Sequence, residues 1–188
     1  MNPVQPAFDG DPSWRADATA SDGCAFVIRP ITPDDRDGLE RAFHEASPQT
    51  RYLRFGLASS TLTSAALEYL TNVDQADHVA LVATITSPDL KDERGIGVAR
   101  FVRSKAHPDT AEAAVAVIDD MQSKGVGRAL TYELGRAALA RGITKLRAEV
   151  LHANTTMRAI LERLGAKPVV GEKSDGLVVY ELNLGTLV

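Results

Sequence analysis

The sequence predicts an α/β domain of the α+β kind, with a mixed, mostly antiparallel sheet of about seven strands flanked by helices. Three observations lead there. First, strand-like and helix-like segments do not alternate: one strand is followed by two or three helices, then three strands, then helix, strand, helix and two strands. Second, the three consecutive strands "HVALVATIT", "IGVARFVR" and "AEAAVAVI" are separated by the turn-rich stretches "SPDLKDERG" and "SKAHPDT", as an antiparallel meander requires. Third, the last of these runs into "QSKGVGRAL", a two-glycine loop opening the longest helical pattern. A uniformly parallel doubly wound sheet would alternate throughout, so it is excluded.

In chain order, residues 1–24 are rich in proline, aspartate, glycine and alanine and read as a flexible tail, with Phe8 and Trp14 the groups in it able to dock on a surface. The folded domain is expected over 25–188. "AFVIRPI" is the first strand. Thr32 followed by Pro33 and acids starts a helix through "DDRDGLERAFHEA", and Ser47-Pro48 restarts one through "QTRYLRF". "TSAALEYLT" is a further short helix, and the meander follows it. The helix after the glycine loop carries Val126, Leu130, Leu134, Ala137, Ala138 and Ile143 near helical spacing, and Arg141-Gly142 closes it. "TKLRAEVL" is a strand, "NTTMRAILERLGA" a helix with Asn154 as N-cap, and "AKPVV" and "LVVYELNL" are the final strands.

At 188 residues the chain supports one substantial core without staples. The net charge of −4, with no basic block, argues against nucleic acid as partner. No apolar run is long enough to span a membrane, and the start lacks the pattern of a secretory signal. One cysteine, Cys24, suits a reducing, cytoplasmic setting. The four histidines show no paired metal spacing, so no metal site is expected.

The loop "QSKGVGRAL" has the chemistry of an anion receptor. Gly125 and Gly127 lack a Cβ and let successive N–H groups face one point, while the helix behind adds unpaired amides and the positive end of its dipole. Lys124 and Arg128 add charge. The order Ser123-Lys124-Gly125 does not fit a P-loop, and Leu130 stands where a dinucleotide fingerprint needs a small third residue. A ligand-free strand-to-helix turn is the alternative.

Here the sequence resembles the GCN5-related N-acetyltransferase (GNAT) superfamily, whose acetyl-CoA loop follows Gln/Arg-x-x-Gly-x-Gly/Ala. Gln122, Gly125 and Gly127 match it, and the element order from about Ala25 to Leu184 agrees. The resemblance implies a GNAT fold with splayed central strands and acetyl-CoA (coenzyme A) as the donor. It implies that the diphosphate is held by Gln122, Ser123, Lys124, Gly125, Val126, Gly127 and Arg128. Pantetheine would lie against main-chain groups near Val117 and Ile118 and near Asn154, whose cap role is compatible with this.

Acetylating an amine requires a neutral nitrogen, and a free lysine is uncharged only about one part in a thousand near neutral pH. Glu112 starts the strand before the loop and shares a face with Ala114, Ala116 and Ile118, leaving room for an acceptor. The resemblance makes Glu112 the general base; a solvated acid at a strand edge is the alternative. Asp119 and Asp120 read as loop-forming. Many family members carry a tyrosine on the last helix as acid for the leaving thiolate, but this chain has Leu161 there. His152 is a further candidate acid, against a plain surface role.

The segment "IRPITPDDRDGLERAFHEASPQTRYLRFG" with "HVALVA" is similar to the GNAT domains of bacterial protein-lysine acetyltransferases, related to enzymes that silence acetyl-CoA synthetase. That likeness implies an acceptor groove bordered by Tyr52, Arg54 and Phe55, although these could equally pack their helix onto the sheet. Some such relatives also carry a cyclic-nucleotide domain or a CoA-ligase-like domain, for which these residues have no room. The acceptor is expected to be a lysine on a protein, such as an acyl-CoA synthetase. A small amine (polyamine, amino acid or aminoglycoside) is the alternative, as is a non-catalytic CoA-binding module. A homodimer is left open.

Overall fold

The computed structural model describes residues 6–48, 62–86, 93–169 and 176–186. The strands are β1 Ala16–Thr19, β2 Ala25–Pro30, β3 His78–Ile85, β4 Arg94–Arg103, β5 Thr110–Val117, β6 Lys145–Leu151, β7 Lys167–Pro168 and β8 Leu177–Asn183. They form one sheet in the order β1-β2-β3-β4-β5-β6-β8-β7, antiparallel at every step except β5–β6. The helices are α1 Arg36–Glu45, α2 Ser64–Thr71, α3 Val126–Leu139 and α4 Thr155–Arg163. The mixed, mostly antiparallel sheet is that expected from the element order, as are these helices; the helix expected to restart at Ser47-Pro48 runs into residues outside those described.

Local chemistry explains most of the boundaries. The Thr32 N–H donates to the Asp35 carboxylate at 2.8 Å, and a short 3₁₀ turn over Pro33–Asp35 leads into α1. Arg29 clamps the same carboxylate with both terminal nitrogens, at 2.7 and 2.8 Å, and so fixes the exit of β2. Asn154 caps α4 by accepting the Met157 N–H at 3.0 Å. Gly142 closes α3 with φ 74°, where a side chain would be strained.

The core lies between α3 and one face of the sheet. Val126, Leu130, Leu134, Ala137 and Ala138 of α3 are buried against Ala99 and Phe101 of β4 and Val79, Leu81 and Ala83 of β3. Gly97 makes this possible: a Cβ there would sit 3.0 Å from Leu130 Cδ1 and 3.1 Å from the Ala116 carbonyl. The other face of β3–β4 carries a smaller cluster of Ile31, Ala80 and Val82, with Val73 and Val98.

The reading of residues 1–24 as a flexible tail is corrected for residues 6–24. Phe8 is fully buried and Trp14 nearly so, their rings 5.5 Å apart, and the Trp14 Nε1–H donates to the Pro6 carbonyl at 2.9 Å. Arg141 stacks over Phe8 at 5.2 Å. It donates to the Phe8 and Ala137 carbonyls at 2.7 and 2.9 Å and to the Gln75 carbonyl at 2.8 Å. After this anchor β1 pairs with β2, burying Ala16 beside Phe26 and Ile28. Two aromatics and one arginine outweigh a polar composition, because burying a side chain like Phe8 stabilises by roughly 2–3 kcal/mol. The folded unit therefore begins well before Ala25, and β1 is a strand beyond those expected.

Candidate functional site

The parallel pair β5–β6 is short. Thr110, Ala111 and Glu112 lie opposite Lys145, Leu146 and Arg147, and there the pairing stops, although β5 stays paired with β4 as far as Val117. From Ala148 to Leu151, β6 pairs with β8 only. The strands therefore part immediately beyond Glu112, which is the expected splaying.

Alternation decides which backbone groups face the gap. The Ile118 N–H donates to the Ile96 carbonyl at 3.1 Å, so even-numbered residues of this strand point their main-chain groups at β4 and odd-numbered ones at the gap. Ala113, Val115 and Val117 thus present amides and carbonyls where β6 has left, whereas Ile118, expected to do so, has its amide engaged across β4. The Val117 carbonyl accepts the Gln122 Nε2–H at 3.2 Å, and that amide also donates to Asp119 Oδ1 at 3.0 Å. Gln122 thus ties the loop to the strand end.

The loop turns differently from the expectation. Its left-handed residues are Ser123 at φ 60° and Gly125 at φ 89°, while Gly127 has ordinary helical geometry inside α3. A Cβ on Gly125 would meet nothing within 4 Å, so the turn borders open space at this residue. A Cβ on Gly127 would touch Val117 Cγ2 at 3.5 Å, an ordinary contact. Val126 is buried, which anchors the loop, and Arg128 is exposed on the first turn of α3. Lys124 is not a lone cation: its ammonium pairs with Asp22 at 2.8 Å, which pushes its pKa up. An amide-lined turn bordering open space, with an exposed arginine beside it, fits a diphosphate. Asp119 also accepts the Ser47 N–H at 2.9 Å, and Asp120 pairs with Arg94 at 3.0 Å, so both acids build the loop as read from the sequence.

Glu112 is exposed at the mouth of the gap. In register it lies between Val102 and Arg147, and the row continues to Glu181 and Lys167. Side chains directly opposite share a face, so this row alternates in sign. Two register pairs along, on the same face, Arg100 stands opposite Ala114; it is buried, donating to the Leu70 carbonyl at 3.1 Å and lying 3.3 Å from His78 Nε2. Burial and the Arg100 charge push the His78 imidazole below its ordinary value. Tyr69, itself exposed, lies over that ring at 5.0 Å.

At the far side of the gap, Asn154 is half-buried at the start of α4 with its carbonyl committed to the cap. Leu161 packs against the core, and Arg158 donates to the carbonyl of the exposed His152 at 3.2 Å. The buried Tyr180 gives its hydroxyl proton to Glu162 at 2.7 Å and accepts from Arg158 at 3.2 Å, a structural use of the phenol. Tyr52, Arg54 and Phe55 lie outside the described residues. Sequence reasoning missed Asp22, Arg100 and His78. The Asp22-Gly23 dipeptide, a hairpin signal ahead of the first strand, could have exposed the first.

A central parallel pair that parts beside a glycine loop and a long helix defines the chain as a member of the GNAT acetyltransferase family. The family model described as "Acetyltransferase (GNAT) domain" matches residues 26–167. The chain is 38% identical over 162 residues to the acetyltransferase Pat of Mycolicibacterium smegmatis, covering 85% of this chain and 46% of that protein. Its fold matches the crystal structure of the GNAT domain of S. lividans PAT with a TM-score of 0.82 and 32% identity, covering 90% and 97% of the two chains. A cAMP-binding acyltransferase from Mycobacterium smegmatis matches with a TM-score of 0.61 and 32% identity over 91% of this chain and 47% of its own. The chain thus spans about half the length of these two mycobacterial relatives.

Proposed function

We propose that this protein is an acetyl-CoA-dependent N-acetyltransferase that modifies a lysine side chain on a protein, by direct transfer, with Glu112 as general base. The observation that carries this reading is the opening of the sheet at Glu112: the gap suited to the donor begins where an exposed carboxylate stands. The thioester supplies an activated acetyl group. The lysine ammonium gives a proton to Glu112, directly or through one water, and its nitrogen attacks the acetyl carbonyl. The amide forms as the carbon–sulfur bond breaks; the nitrogen loses its second proton to water, and the thiolate takes a proton from solvent, since Leu161 offers none.

Gly125, Val126 and Gly127 would hold the diphosphate by their amides with Arg128 beside them, and the main chain of Ala113, Val115 and Val117 would hold the pantetheine arm. Preference for a protein acceptor rests on the alternating charges about Glu112. A ring of acids would suit a polyamine, whereas a mixed row suits the varied surface around a lysine. Resemblance to protein-lysine acetyltransferases supports the same reading. A cytoplasmic location and an acyl-CoA synthetase as acceptor belong to it as well. Mass spectrometry of candidate proteins incubated with the enzyme and acetyl-CoA tests it: new acetyl-lysine is expected, and acetylation of free amines alone would replace the protein acceptor with a small one.

A further inference from the structure

The turn joining β1 to β2 reaches across to the glycine loop. The Ser21 N–H donates to the Lys124 carbonyl at 3.0 Å, and the Asp22 carboxylate pairs with the Lys124 ammonium at 2.8 Å. The turn is firm before it meets the loop. Gly23 takes φ 88°, its N–H donates to the Ala20 carbonyl at 2.9 Å, the Ala20 N–H donates to the Cys24 carbonyl at 2.8 Å, and the Cys24 N–H reaches Asp22 Oδ1 at 3.1 Å. Behind it stands the buried anchor of Phe8 and Trp14.

On the loop side, Lys124 lies between the two left-handed residues Ser123 and Gly125. A non-glycine residue there persists only when its surroundings hold it. The peptide bond between Lys124 and Gly125 is trans, so its carbonyl and N–H point in opposite directions. Fixing the Lys124 carbonyl on Ser21 therefore turns the Gly125 N–H away from the hairpin.

We propose that the β1–β2 turn is a positioning device for the diphosphate loop, with the Ser21 main chain aiming the Gly125 amide and Asp22 holding Lys124 in place. It rests on the reading of this loop as the coenzyme A site. Without the turn, the loop spends part of its time in conformations that aim the amide elsewhere, and apparent affinity falls by the competent fraction. The β1–β2 turn thereby sets donor affinity from outside the gap between β5 and β6.

Ser21→Pro removes the N–H, while Ser21→Ala keeps it. The expected result is a KM for acetyl-CoA raised about three- to tenfold in Ser21→Pro, with kcat at saturation unchanged and Ser21→Ala like the wild type. A folded Ser21→Pro enzyme that binds coenzyme A as tightly as wild type by calorimetry overturns the proposal and leaves the cofactor reading intact; no binding by wild type overturns the cofactor reading itself. Should Ser21→Pro fail to fold, amide hydrogen exchange on the wild-type chain decides. Coupling is reciprocal, so added coenzyme A should slow exchange at Ser21 but not at the remote Arg103 amide, which donates to Asp77. Unchanged exchange at Ser21 with bound coenzyme A overturns the proposal.

Discussion

Glu112 and Arg147 are the last residues at which β5 and β6 lie side by side; one residue further on, each strand has a different neighbour. A carboxylate at the edge of such a gap is exposed to solvent yet adjacent to main chain with no strand across from it. On the proposed reading, that combination is what a general base needs beside a sheltered donor.

Glu112→Gln should lower kcat/KM for the amine acceptor by about a hundredfold or more near neutral pH, with the KM for acetyl-CoA little changed. The side chain is exposed, so thermal stability should hold. Steady-state rates against pH check this: the wild-type rise with pH should be shifted or lost in the variant. Full activity would remove Glu112 from the chemistry without touching the donor site.

The two loop glycines should separate. Gly125→Val forces a β-branched residue to φ 89°, and calorimetric affinity for coenzyme A should fall at least tenfold while stability drops by only about 1–3 kcal/mol. Gly127→Ala places a methyl at ordinary distance from Val117 within a helix, which favours alanine by up to about 1 kcal/mol. Its melting temperature should hold or rise, and weaker coenzyme A binding would then report close approach of the ligand to that backbone.

Phe8→Ala should cost about 3 kcal/mol in urea unfolding, because it empties a buried site under Trp14 and Arg141. A change within 0.5 kcal/mol, the range of a surface substitution, would mean that the anchor does not form in solution.

Asp35 makes the fold sensitive to acid. Burial pushes its carboxyl up, but the Arg29 fork and the Thr32 amide outweigh this and hold it below the ordinary 3.8. The folded state releases this proton more readily than the unfolded one. Its contribution is therefore complete above that ordinary value and is lost as pH falls through the lower folded value. Asp35→Asn should cost about 2 kcal/mol at pH 7, and the difference from wild type should shrink in urea titrations below pH 3.8.

Much of the sheet was legible because its signals are local. The meander, the glycine loop and the capped helix at Asn154 each carry their instructions within a few residues. The N-terminal anchor was not, since Phe8 gains its stability from Arg141, far away in the chain, and no window of composition contains both. For the same reason the loop's glycines were legible but the Ser123 conformation was not: a serine becomes left-handed there within a setting that includes the distant β1–β2 turn. The place of Glu112 on its strand was legible from the local pattern, whereas the Arg100–His78 contact behind the neighbouring residues needed the register of three strands.

The bond from Arg141 to the Phe8 carbonyl spans 133 positions. On a ribosome adding about 5–20 residues per second, the opening segment waits on the order of ten seconds before its partner emerges. Phe8 and Trp14 are thus made well before the arginine that secures them, and over that interval the aromatic pair is available to chaperones and proteases.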